Sequence, residues 1–184
     1  RDWSSDVCSS DLMRSARHQA PHAQLGIECI NDQLLDMELD MQSKLLPAKA
    51  FKQYRKAAHQ RRKAARQTPE RKRLFVCEFE GDLRAEAVSS LRQEISGVLT
   101  VATAGDEVLV VLESGGGTVH GYGLAASPLQ RLRERDIQLT VAVDKIAASG
   151  GYMMACVANR IIAAPFAIIG SIGVVAQIPN FNRL

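Results

Sequence analysis

Aromatic side chains are scarce: Phe, Trp and Tyr make up 5% of the 184 residues, with a single Trp. A surface that stacks bases needs a series of them, so nucleic acid is not an expected partner. Cysteine is scarce as well. Cys8, Cys29, Cys77 and Cys156 form no CxxC and no Cys/His cluster with zinc spacing. That excludes a disulfide framework and a structural zinc site. Cys77 and Cys156 lie inside apolar runs and are expected to be small buried hydrophobes. No apolar segment follows the first residues, so no signal peptide is visible. The longest uncharged stretch, residues 161–182, is broken by Pro165, Gly170, Ser171, Gly173, Gln177 and Pro179. A spanning helix wants about 20 continuous apolar residues, so the stretch is read as short strands.

What is present is a globular composition, 46% hydrophobic and 23% charged, with a net charge of +3. The charge is unevenly placed. Residues 44–73 hold twelve Lys/Arg and one acid, Glu70, a local +11 that leaves −8 for everything else. A basic arm on a mildly acidic body is therefore what needs explaining. Both chain ends look interrupted. Residues 1–12 (RDWSSDVCSSDL) carry the only Trp and no helix or strand period. They match a common sequencing adapter translated in one frame, and are expected to be an artefact. At the other end, Leu184 follows a β-like segment with no closing helix.

Between the ends, Ile27, Ile30, Leu34, Leu35, Met37, Leu39, Met41, Leu45 and Leu46 recur at mixed three- and four-residue spacing, which predicts helix over 26–58. Residues 48–66 are Ala/Lys/Arg-rich and favour a solvated helix that Thr68-Pro69 breaks. From Leu74 the pattern changes. Strands are predicted at 74–79, 108–112, 139–143, 161–164 and 167–169, and helices at 84–101, 122–135 and 150–158. Alternating strands and helices mean βαβ units, hence an α/β fold with a mainly parallel sheet. The continuous apolar run Val108–Leu112 predicts burial on both sheet faces. Expected boundaries are a helical, basic region at 13–73 and an α/β domain at 74–184.

Ligands in such sheets bind beyond the carboxyl ends of the strands. Two segments emerge there. Glu113-Ser114-Gly115-Gly116-Gly117 follows one strand, and Ala147-Ala148-Ser149-Gly150-Gly151-Tyr152 opens the short apolar helix. Glycines expose N–H groups to an approaching oxygen, and a helix N-terminus favours developing negative charge. Together they suggest an oxyanion-stabilising site. Taken singly, the glycines make a turn and the serine an N-cap. No Lys-Ser/Thr follows the glycines, so this is no Walker loop, and the serine lies outside a G-x-S-x-G elbow.

The run from Glu113 to Leu184, with AASGGYMMACVA and APFAIIGSIGVVAQ at its centre, resembles the SohB branch of the signal peptide peptidase A family. These are membrane-anchored serine proteases with a Ser–Lys dyad on a ClpP/crotonase-like fold. The resemblance covers residues 74–184 and extends more weakly to the basic helical segment. It implies that Ser149 is the nucleophile, that the N–H groups of Gly116 and Gly150 are the oxyanion donors, and that Gly117 supports the loop. It further implies that Ser171 orients the base and that Tyr152 shapes the wall beside the serine. The family commonly has Pro where this chain has Gly115.

No cofactor or metal is implied. Expected partners are a peptide or protein substrate, further copies of the chain, and a bacterial inner membrane that the basic segment could touch. The family's base is a Lys about fifty residues after the serine, which falls beyond Leu184, so the chain alone is expected to be inactive. Lys145 and His120 are the nearest substitutes: the first is expected to be solvated, and the second has no evident Asp partner. Two rival readings stand beside the protease. One is a crotonase-like acyl-CoA enzyme, which would need positioned carboxylates such as Glu113 and Asp144. The other is an inactive domain that binds membrane or nucleic acid through its basic helix.

Overall fold

A computed structural model describes residues 25–67, 72–173 and 175. The suspected adapter segment 1–12, Cys8 and the Thr68-Pro69 break lie outside the described residues. The chain divides into two compact units, with the boundary between Gln53 and Tyr54.

Two helices come first, α1 (Ile30–Leu45) and α2 (Ala48–Arg66). The predicted continuous helix over 26–58 is thus two. Leu46 takes an extended conformation, φ −101° and ψ 145°, because the following Pro47 disfavours the helical region for its predecessor. The α2 helix crosses the boundary between the units and carries most of the basic arm.

The α/β part contains β1 (Leu74–Gly81), α3 (Val88–Val101), β2 (Glu107–Ser114), α4 (Val119–Arg133), β3 (Gln138–Val143), β4 (Ile146–Ala148), α5 (Gly150–Ala155), β5 (Arg160–Ala163) and β6 (Ile168–Gly170). Among the described residues the six strands are all parallel, in the order β5-β3-β2-β4-β6, with β1 on the other side of β2. One edge of β2 is shared. Its first five residues pair with β3, and its last, Ser114, pairs with Ala147 of β4. The chain therefore leaves β3 and starts a second arm of the sheet at the carboxyl end of β2.

Along β2, Val108, Val110 and Leu112 are fully buried while Leu109, Val111 and Glu113 are only half-buried. The expectation of a sheet covered on both faces is corrected. The core lies on one face, where Phe79, Val110 and Val141 meet Leu91 and Ile95 of α3, Leu129 of α4 and Met154 of α5. Cysteine burial is corrected in part. Cys77 is buried in this core, and burial pushes its thiol up to about 12. Cys156, at the end of the short helix α5, is exposed.

At the amino end of the sheet, Asp106 is buried and accepts five hydrogen bonds. They come from Arg73 N–H (2.8 Å), Nε (3.2 Å) and Nη2 (2.6 Å), and from Thr103 N–H (2.8 Å) and Oγ1 (3.0 Å). These bonds tie the entry of β1 to the entry of β2.

Candidate active site

Ser149 lies between β4 and α5. The three-residue strand Ile146–Ala148 was not foreseen, so the serine follows β4 rather than the longer strand β3. Its N–H donates to Gly170 C=O of β6 at 2.8 Å, and its own carbonyl accepts from Met153 N–H at 3.0 Å. Strand and helix thus hold both sides of one residue. The result is φ +50° and ψ −115°, a backbone region that non-glycine residues rarely enter. Such a conformation costs on the order of 1–3 kcal/mol and persists only where its surroundings impose it.

The two loops singled out in the sequence meet. Ser114 pairs with Ala147, so the glycine loop leaves β2 beside the serine-bearing turn. A Cβ on Gly116 would sit 2.6 Å from Ser149 Cβ and 2.9 Å from Gly150 N, so only glycine allows this approach. Gly116 also has φ +88°. A Cβ on Gly117 would lie 2.2 Å from the Leu83 carbonyl oxygen, which accepts the Thr118 N–H. One on Gly150 would lie 2.3 Å from Cγ of Tyr122. The glycines are therefore required by packing, whatever chemistry they serve.

Beneath the loop runs a buried hydrogen-bond chain that the sequence did not reveal. Gly116 N–H donates to Ser114 Oγ at 3.1 Å, Ser114 Oγ lies 2.6 Å from Tyr122 Oη, and Tyr122 Oη donates to Asp82 C=O at 2.7 Å. Each hydroxyl has one proton. Ser114 Oγ also lies 3.3 Å from the Gly81 carbonyl, so its proton has two acceptors in reach, Gly81 C=O and Tyr122 Oη. Burial raises the pKa of Tyr122, which keeps the phenol protonated. In this arrangement the Gly116 amide is engaged by Ser114 Oγ. The Gly150 amide, first of α5, has no partner within the helix. The only sequence signal for this chain was a polar residue, Ser114, closing an apolar strand.

The other candidates fall around this centre. Lys145 Nζ donates to both carboxylate oxygens of Glu113, at 3.0 and 2.8 Å, and the pairing raises its pKa. It is a cation tied to a carboxylate. The same pair occupies one of the two carboxylates an acyl-CoA enzyme would need. His120 is exposed on the first turn of α4. Ser171 is exposed, has φ +53° and follows Gly170, whose carbonyl holds Ser149. Tyr152 is half-buried and packs on the core, and the neighbouring Cys156 thiol raises its pKa. A recess of about 410 Å³, lined by Lys72, Asp106, Asp136 and Arg160 among others, lies at the opposite, amino end of the strands.

Fold and site thus define an α/β protein with a parallel sheet, whose strained serine meets a glycine loop at the carboxyl ends of the strands. Two family models account for nearly the whole chain. "Peptidase family S49 N-terminal" matches residues 7–129 and "Peptidase family S49" matches residues 131–184. The chain belongs to peptidase family S49.

Among curated proteins it is similar to "Probable protease SohB" of Buchnera aphidicola subsp. Schlechtendalia chinensis. The two are 69% identical over 111 residues, which is 60% of this chain and 36% of that protein. The protein of the same name from Haemophilus influenzae is 64% identical over 111 residues, covering 60% of this chain and 31% of its own length. The chain spans about a third of the length of the curated relatives it matches. Among solved structures, a ClpP1 mutant from Listeria monocytogenes is similar over 47% of this chain and 45% of its own, at 15% identity and a TM-score of 0.33. Among the described residues, no helix is long and apolar enough to cross a membrane.

Proposed function

We propose that this chain carries the nucleophile half of a serine endopeptidase site. Ser149 Oγ attacks a peptide carbonyl, the C–O bond forms, and the carbonyl electron pair moves onto oxygen. Gly150 N–H stabilises that oxyanion. Gly116 N–H joins it by exchanging its bond to Ser114 Oγ for one to the oxyanion. A neutral lysine amine takes the hydroxyl proton and passes it to the leaving amine as the C–N bond breaks. Water then releases the acyl group.

The observation that supports this reading is the backbone of Ser149. A residue that merely caps α5 needs no left-handed φ, whereas a side chain presented to a substrate repays that strain. The lysine is assigned by family resemblance to about fifty residues past the serine. That is beyond position 184. Lys145 is a poor substitute because its ion pair with Glu113 holds it charged. Substrates with small apolar side chains, assembly of several copies, and a place at a bacterial inner membrane with α2 near anionic headgroups follow from the same resemblance.

The 184-residue chain is expected to cleave no peptide in a mixed library analysed by mass spectrometry. Cleavage that Ser149→Ala abolishes would contradict the external lysine and direct attention to Lys145 or His120.

A further inference from the structure

The α1 helix has two apolar sides. Leu39 is buried and Leu35 and Leu46 are half-buried on one of them. On the other, Ile30, Leu34, Met37, Met41 and Leu45, continued by Ile27 ahead of the helix, are between 46% and 86% exposed. From Ile27 to Met41 their spacing alternates three and four residues. That is the a/d spacing of a paired helix, kept over two heptads.

We propose that this seam binds a second copy of the same chain as an antiparallel helix pair. In that pairing Leu34 of one copy lies against Met37 of the other, and Ile30 against Met41, about a two-fold axis between residues 35 and 36. Charge selects the direction. The helix carries Asp32, Asp36, Glu38 and Asp40 against one base, Lys44. A parallel pair would set Lys44, which shares the heptad position of Met37, against Lys44 and align the acids copy to copy. The antiparallel pair sets Glu38 opposite Asn31 and Asp40 opposite Gln33. It also carries each Lys44 to the end of the other helix where Glu28 accepts a hydrogen bond from Gln33. Opposite charges then meet at both ends. An anionic lipid surface is the less favoured occupant, since the edges of the stripe are acidic.

Site-directed cross-linking tests this in the whole chain, with Cys8, Cys29 and Cys156 replaced by serine. Leu34→Cys protein is mixed with Met37→Cys protein and oxidised. The 34–37 disulfide between copies is expected at least ten-fold above the 34–34 and 37–37 products. It should also exceed any product of Ser43→Cys, on the opposite side of the helix. All three positions are exposed, so unchanged circular dichroism is expected. Equal or dominant 34–34 and 37–37 products would indicate a parallel pair and overturn the proposal. So would a yield no greater than the Ser43→Cys control. Vesicle binding through the stripe, without the cross-link, would put a membrane in place of the second copy and also overturn it.

Discussion

Gly150→Ala is expected to lower unfolding stability by about 3 kcal/mol or more, enough to leave little folded protein. The new methyl would sit 2.3 Å from Tyr122 Cγ and 2.7 Å from its Cβ and Cδ2. A flexible side chain could swing away from such a contact. Tyr122 cannot, because its hydroxyl is bonded to both Ser114 and the Asp82 carbonyl, and its ring is fully buried and meets Phe79 edge-on. The backbone of Gly150 is equally constrained, since Ser149 is held by Gly170. Gly123→Ala on the exposed side of α4 is the control. Nothing lies within 4 Å of its Cβ, and helix propensity predicts a gain of about 0.5–1 kcal/mol. Urea midpoints of the two variants should move in opposite directions. An unmoved midpoint for Gly150→Ala would mean that the tyrosine ring does not lie under the serine turn.

The second large effect is expected far from the site. Asp106→Ala should cost about 1–3 kcal/mol, because it removes the one buried carboxylate that accepts from the Arg73 and Thr103 amides and from the guanidinium, while solvent and the Val101 carbonyl remain open to those exposed donors. The loss should depend on pH. Arg73 beside Asp106 holds the carboxyl well below the usual range, which for Asp is about 3.9. The folded state thus binds its proton less readily than the unfolded state. The contribution is complete above pH of about 4 and fades as pH falls below it toward the lower, folded value. Urea titrations at pH 7 and pH 3 should show wild type and variant far apart at the first and closer at the second. A gap that stays constant would assign the effect to packing alone.

The sequence made the long elements legible because each had a local signature. The apolar runs of β1, β2 and β3 and the spacing of Leu91 and Ile95 in α3, or Leu129 and Leu132 in α4, need no tertiary information. The strand β4 had no such signature. Ile-Ala-Ala is too short to alternate, and its link to β2 is a single pairing with Ser114 that forms only when the sheet assembles. The corrected burial of the sheet has a similar origin, since an apolar run cannot say which of its faces a helix will cover.

The site was legible in part. The glycine loop and the Ser-Gly-Gly turn could be marked as candidates, and their meeting, so close that a Cβ on Gly116 would lie 2.6 Å from Ser149 Cβ, is a property of the fold. The left-handed backbone of Ser149 and the chain from Gly116 through Ser114 and Tyr122 to Asp82 depend on contacts between residues up to 40 positions apart. No local pattern encodes them.

The central claim is that Ser149 is a nucleophile facing an oxyanion site, and a peptide boronic acid tests it without needing the lysine. Boron accepts the serine oxygen directly and becomes tetrahedral, as the attacked carbonyl would, with the hydroxyl proton released to water. Boron-11 NMR of the 184-residue chain with a boronate bearing small apolar side chains should show a saturable tetrahedral signal that Ser149→Ala abolishes. A signal that survives Ser149→Ala, or none at millimolar boronate, would contradict the assignment.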